Sequence, residues 1–196
     1  MEFQLVLALL GFAFASSITP GPNNMMLMAS GANYGLTRSW PHVLGISVGF
    51  GIMIALVGLG LAQLFDVFPV LNLALKVGAA LYMTWLAWKI ATAAPRLDAT
   101  DGGRPFSFIQ AALFQWVNPK AWAMALTVVS VYMPETPLAP FIVALLFQVI
   151  GLPCMVVWAG LGVGVRQFLT TAGRLRLFNW TMGALLLVSI WPIVVT

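Results

Sequence analysis

Charge is the scarcest commodity in this sequence. Only 7% of its 196 residues are charged and 61% are hydrophobic, where a soluble domain carries charge on about a quarter of its residues. The mean hydropathy is +0.98. An ordinary soluble domain is therefore excluded, and the chain reads as an integral membrane protein. A single cysteine, Cys154, excludes an internal disulfide and any cysteine-built metal cluster. One histidine and five acidic residues are too few for a protein metal cage, so neither a metal nor a redox cofactor is expected. Basic clusters are missing too. The nine Lys and Arg residues stand scattered despite a net charge of +4, so no nucleic-acid partner is expected. AFA at residues 13–15 resembles a signal-cleavage site, but the stretch before it carries Glu2 and no basic residue, so cleavage is not expected.

What the sequence has in abundance is apolar runs of the roughly 20 residues that a spanning helix needs. Six helices are expected, at about 3–36, 40–64, 69–92, 106–133, 138–165 and 175–195, forming one membrane domain over 1–196 that leaves no room for a soluble one. Residues 94–104, with the Pro, Gly and Asp of APRLDATDGGRP, read as a solvated linker between halves at about 1–93 and 105–196. Arg38 falls in the first connection, Lys89, Arg96 and Arg104 around the third, and Arg166, Arg174 and Arg176 in the fifth. The second and fourth connections carry only Asp66 and Glu135. Because basic loops stay inside, the linker is expected in the cytoplasm and both termini on the outer, periplasmic side.

Two helices contain polar breaks. SSITPGPNNMM at 16–26 interrupts the first span, and Asn118-Pro119-Lys120 interrupts the fourth, each near the expected bilayer midplane. GLGLA at 58–62 is echoed by GLGVG at 160–164, and GAAL at 78–81 by GALL at 183–186. Aligning Pro20 with Pro119, Gly58 with Gly160 and Gly78 with Gly183 gives offsets of 99, 102 and 105 residues. An internal repeat of three spans inverts its second copy, because three is odd. The expected fold is thus an all-α membrane protein of six transmembrane helices arranged as two inverted three-helix repeats, with helices 1 and 4 broken. Transporters place substrate sites at such paired breaks.

The breaks suit a zwitterion. Proline lacks an N–H, so Pro20, Pro22 and Pro119 free the carbonyls of Ser16, Ile18 and Gln115, and Gly21 lets the backbone turn between the first two. Freed carbonyls persist in a membrane only where protein or a water-lined cavity satisfies them. Beyond each break a half-helix begins with free N–H groups and a partial positive charge, beside which Lys120 adds a full one. A substrate carboxylate is expected there. Its ammonium is expected on the carbonyls and on the side-chain oxygens of Thr19, Asn23, Asn24 and Asn118. The candidate substrate-binding residues are Thr19, Pro20, Gly21, Pro22, Asn23, Asn24, Gln115, Asn118, Pro119 and Lys120. The alternative is that the prolines merely kink packed helices.

These residues also resemble a known family. TPGPNNMMLMASGANYGLTRSWPHVLGISVGFG at 19–51, LKVGAALYMTWLAWKIATA at 75–93 and FQWVNPKAWAMAL at 114–126 are similar to the amino-acid exporters of the LysE/RhtB superfamily. LAWKIATA is closest to the branch exporting cysteine and O-acetylserine. The resemblance implies an exporter of amino acids or close derivatives in the bacterial inner membrane, driven by the proton gradient, with membrane lipid around it and a homo-oligomer left open. One departure stands out. Some members carry an acidic residue in the fifth helix, whereas FQVIGLPCMVVWAGLG here has none, so proton linkage is expected through Lys120, His42 or the substrate's amino group.

Rival functions leave weaker marks. A passive channel would show rings of like charge or a polar row, and neither is evident. GISVG at 45–49 matches a nucleophile pattern with His42 nearby, which would suit an intramembrane hydrolase, but that motif works on a strand-to-helix turn rather than inside an apolar helix. Gly45 and Gly49 more readily mark close helix packing. His42 is expected to be an interfacial or packing residue beside the cytoplasmic end of its helix, and Lys76 to snorkel to the interface. Trp116 and Trp122 flank the second break and are candidates to line a pocket there.

Overall fold

The computed structural model describes residues 2–93 and 104–189, all helix, turn or coil with no strand among them. Residues 94–103 of the expected linker, including Arg96, and the end of the sixth helix beyond 189 lie outside the described residues. The elements are α1 (Phe3–Ile18), α2 (Pro22–Leu56) continued by a π-helical turn at Val57–Leu61, α3 (Gln63–Val67), α4 (Pro69–Ala91), α5 (Phe108–Phe114) continued by a 3₁₀ turn at Gln115–Val117, α6 (Pro119–Tyr132), α7 (Ala139–Arg166) and α8 (Ala172–Val188).

Local sequence sets these boundaries. Pro22, Pro69 and Pro119 each open a helix, where the missing N–H costs nothing. Ser107 starts α5 with a capping box, accepting from the Gln110 amide at 3.2 Å while its own N–H donates to Gln110 Oε1 at 3.1 Å. Thr171 caps α8 through the Arg174 amide. The first connection is far smaller than the sequence suggests. The chain turns at Gly35 alone (φ 77°, ψ 169°), a conformation that only glycine adopts cheaply. Arg38 lies in the helix beyond that turn, its guanidinium 5.7 Å from the Tyr34 ring centroid.

Small residues bring the helices together. α2 packs along α7, where a Cβ on Gly31 would strike the Ala159 carbonyl and one on Gly162 the Met28 carbonyl. α5 lies against α2 at Gly45 and Gly49, whose missing Cβ atoms leave space for the backbones of Phe108 and Ala112. α1 packs on α7, and α4 on α8 at Gly183. Of the echoed glycines, Gly58 and Gly183 are packed while Gly78 and Gly160 face open space, so the echo is one of sequence rather than of contact. Outward, Leu81, Leu113 and Leu145 are 68%, 62% and 70% exposed. A water-soluble surface does not carry apolar side chains so uniformly; this one suits lipid. Pro22–Leu61 and Ala139–Arg166 are long and apolar enough to cross a membrane.

Candidate functional site

Both expected breaks are present, and they meet. Between α1 and α2 the backbone is extended at Thr19 (φ −70°, ψ 144°) and Gly21 (φ −178°, ψ 176°). Between the 3₁₀ turn and α6 it is extended at Asn118 (φ −91°, ψ 109°). Two ties join the breaks. Asn23 Nδ2 donates to Gln115 Oε1 at 2.8 Å, and Gln115 Nε2 returns a bond to Asn23 Oδ1 at 3.2 Å. Lys120 Nζ reaches across to Thr19 O at 2.8 Å, Thr19 Oγ1 at 2.9 Å and Pro20 O at 3.3 Å.

The freed carbonyls can be followed one by one. Ser16 O accepts from Thr19 Oγ1 at 2.9 Å, Ile18 O from Trp158 Nε1 at 3.2 Å, and Gln115 O from the Asn118 amide at 3.2 Å. The protein thus satisfies all three internally, which corrects the expectation that they lie open to a substrate. Asn24 Nδ2 spans two more, Ser17 O at 2.9 Å and Thr19 O at 2.7 Å. Gly21 O accepts from the Met25 amide. The half-helix ends differ as well. Asn118 Oδ1 accepts from the Lys120 amide at 3.2 Å and so caps α6, whereas Gly21 offers α2 no side-chain cap.

Between the breaks lies a cavity of about 40 Å³, room for a few waters. Ser16, Ser17, Gly21, Asn23, Asn24, Asn118 and Lys120 form its polar side, and Ile46, Phe50, Ala121, Met124, Phe147 and Met155 its apolar side. Of the sequence candidates, Thr19, Pro20 and Gln115 stand behind this wall through their contacts with Lys120 and Asn23, while Pro22 and Pro119 open the two half-helices. Trp116 and Trp122 do not line it. Their rings meet edge to face at 6.0 Å, and Trp122 Nε1 donates to Trp116 O, so they pack the core. Ser16 and Ser17 adjoin the TPGP motif and were legible as neighbours. Trp158 carries no local signal, being 140 residues from the carbonyl it serves.

A larger cavity of about 750 Å³ opens among α2, α4, α8 and the segment before α5, with Lys89, Arg104, Asn33, Asn179, Ser107 and Gln110 on its polar walls. Asn23 lines the small cavity and Met26 the large one, a single helical turn apart on α2. Among the described residues, no Asp or Glu lines either.

Ser47 and His42 do not form a catalytic pair. Ser47 donates to Gln148 Oε1 at 2.7 Å, whereas His42, fully buried, meets Ser30 Oγ through Nδ1 at 2.9 Å and stacks near Phe106. Lys76 lies two turns into α4, half-buried, and lines neither cavity.

An all-helical membrane chain whose two helix breaks meet beside a small cavity with one polar and one apolar side has the form of a membrane transporter. The chain belongs to the LysE type translocator family, which matches residues 14–190. It is 32% identical, over all of both chains, to a cysteine/O-acetylserine efflux protein of Klebsiella pneumoniae subsp. pneumoniae. A protein of the same description from Escherichia coli K12 is 30% identical over 89% of this chain and 90% of its own length. One from Shigella flexneri is 30% identical over 83% of this chain and 85% of its own. No solved structure matches the chain.

Proposed function

We propose that this chain exports small zwitterionic amino acids of the cysteine and O-acetylserine kind across the bacterial inner membrane, recognising them where its two helix breaks meet. The observation that carries the reading is Lys120, which sits in one break and donates to the oxygens of the other. Among the described residues it is the one cation lining the small cavity. A carboxylate brought there loses its hydration and needs a positive partner; Lys120 and the uncapped start of α2 supply it. Export of amino acids also accords with the names of the relatives.

In this reading the helices make six spans in two inverted halves: α1 with the start of α2, the rest of α2, α4, α5 with α6, α7 and α8. The packing supports it, since α2 lies on α7, α4 on α8, α1 on α7 and α5 on α2, each contact crossing between halves. The termini are periplasmic, and the larger cavity, with Lys89 and Arg104 on its wall, is the cytoplasmic approach. The proton gradient drives export, and with no carboxylate among the described residues that line either cavity the proton travels on Lys120, His42 or the substrate's amino group.

Counterflow in proteoliposomes tests the function. Saturable exchange of labelled cysteine or O-acetylserine is expected. Unsaturable leak would mean a channel, and transport indifferent to an imposed pH gradient would remove the proton while leaving the exporter.

A further inference from the structure

We infer that the oxygens of Thr19 and Pro20 form a subsite for a primary ammonium group, and that Lys120 fills it as a tethered occupant which the substrate's amino group displaces. This rests on the placement of the substrate site proposed above. An ammonium has three N–H donors, and Lys120 Nζ finds three oxygens here, at 2.8, 2.9 and 3.3 Å. None of them is a carboxylate. The oxygens belong to the broken strand of chain, which carries no formal charge, so they suit any ammonium of the right reach and not this lysine alone.

Three further observations fix the assignment. Every other backbone carbonyl from Ser16 to Gly21 has a donor besides the lysine, Thr19 O sharing Lys120 with Asn24 Nδ2, whereas Pro20 O has Lys120 as its hydrogen-bond donor. When the lysine leaves, Pro20 O needs another donor. Next, the lysine stem lies over Gly21, where a Cβ would sit 2.6 Å from Lys120 Cδ and 3.2 Å from Nζ. The glycine is the floor on which the stem rests. Last, the cavity of about 40 Å³ admits no amino acid while the lysine lines it. Binding therefore requires the stem to move. A zwitterion drives that movement at both ends: its ammonium takes the oxygens of Thr19 and Pro20, and the released Lys120 turns to its carboxylate. A compound with only one of the two groups satisfies half of the exchange and binds weakly.

Lys120→Ala deletes Cγ, Cδ, Cε and Nζ, the atoms of n-propylammonium, and so empties the subsite. Calorimetric titration of the purified full-length protein in detergent is expected to show n-propylammonium binding at least about tenfold tighter to Lys120→Ala than to the parent, with no gain for propionate and loss of cysteine binding. Lys120→Met keeps the stem and vacates only the ammonium position, so it should gain affinity for the ammonium ion, which covers the case in which the alanine variant does not fold. Loss of cysteine binding with no gain for n-propylammonium or the ammonium ion would overturn the tethered occupant and leave the substrate site in place. Cysteine binding at the parent affinity in both variants would overturn the two together.

Discussion

Replacing Asn23 and Gln115, singly and together, measures how firmly the two breaks are locked. Their amides exchange two hydrogen bonds, at 2.8 and 3.2 Å. Within membranes such bonds average about 0.6 kcal/mol each in double-mutant cycles, so the pair should show a coupling energy of about 1 kcal/mol. The single changes are not equivalent. Gln115 is wholly buried and also donates to Ala111 O at 2.8 Å, so Gln115→Leu strands both the Asn23 amide and that carbonyl. At roughly 1–3 kcal/mol for each buried group left unpaired, it should cost about 3 kcal/mol. Asn23→Leu strands only the Gln115 amide and should cost about half as much. The double variant should be less destabilised than the sum of the singles by the coupling energy. Unfolding in mixed micelles by titrated sodium dodecyl sulfate, followed by tryptophan fluorescence, gives all four stabilities. Additivity to within about 0.3 kcal/mol would mean that the amides do not hold the breaks together, and the cavity between them would lose its frame.

The α2–α7 contact makes a sharper demand on size. Gly31→Ala and Gly162→Ala place a methyl against the carbonyls of Ala159 and Met28, so each should lower stability by about 2 kcal/mol or more, while Gly160→Ala, whose Cβ meets nothing, should change the melting temperature little. Ser47→Ala should leave export intact, because its hydroxyl only ties α2 to Gln148; loss of transport on its removal would revive a chemical role for GISVG. An alkaline phosphatase fusion at Thr196 should be active, as a periplasmic terminus requires, and an inactive fusion in well-expressed protein would overturn the orientation and the inverted halves with it.

The breaks were legible because their cause is covalent. Proline at 20, 22 and 119 removes N–H donors wherever the chain goes, and Asn118 beside Pro119 is the ordinary way to begin a helix. What satisfies the freed carbonyls was not legible. Trp158 reaches Ile18 O from a helix far along the chain, and Thr19 turns its hydroxyl back to Ser16 O; only packing decides such pairings. Lys120 shows both sides of this. Its place inside a span marked it as functional, and charge complementarity alone assigned it to a substrate carboxylate. In the folded chain its ammonium rests on neutral oxygens instead, because the first break lies within reach of a stem that only the missing side chain of Gly21 admits. The short turn at Gly35 was hidden for a different reason. Arg38 read as part of a connection, yet a helix tolerates it once a single glycine has redirected the axis.

The central claim is that export depends on the charge of Lys120 at the meeting of the breaks, and paired lysine variants test it most directly. Lys120→Met and Lys76→Met each remove one ammonium and keep most of the stem, so bulk and insertion are matched. Counterflow of labelled cysteine in proteoliposomes with equal protein should vanish for Lys120→Met and stay near the parent rate for Lys76→Met, which lines neither cavity. Parent-rate counterflow by Lys120→Met would contradict the account and leave the proline breaks as hinges rather than a binding site.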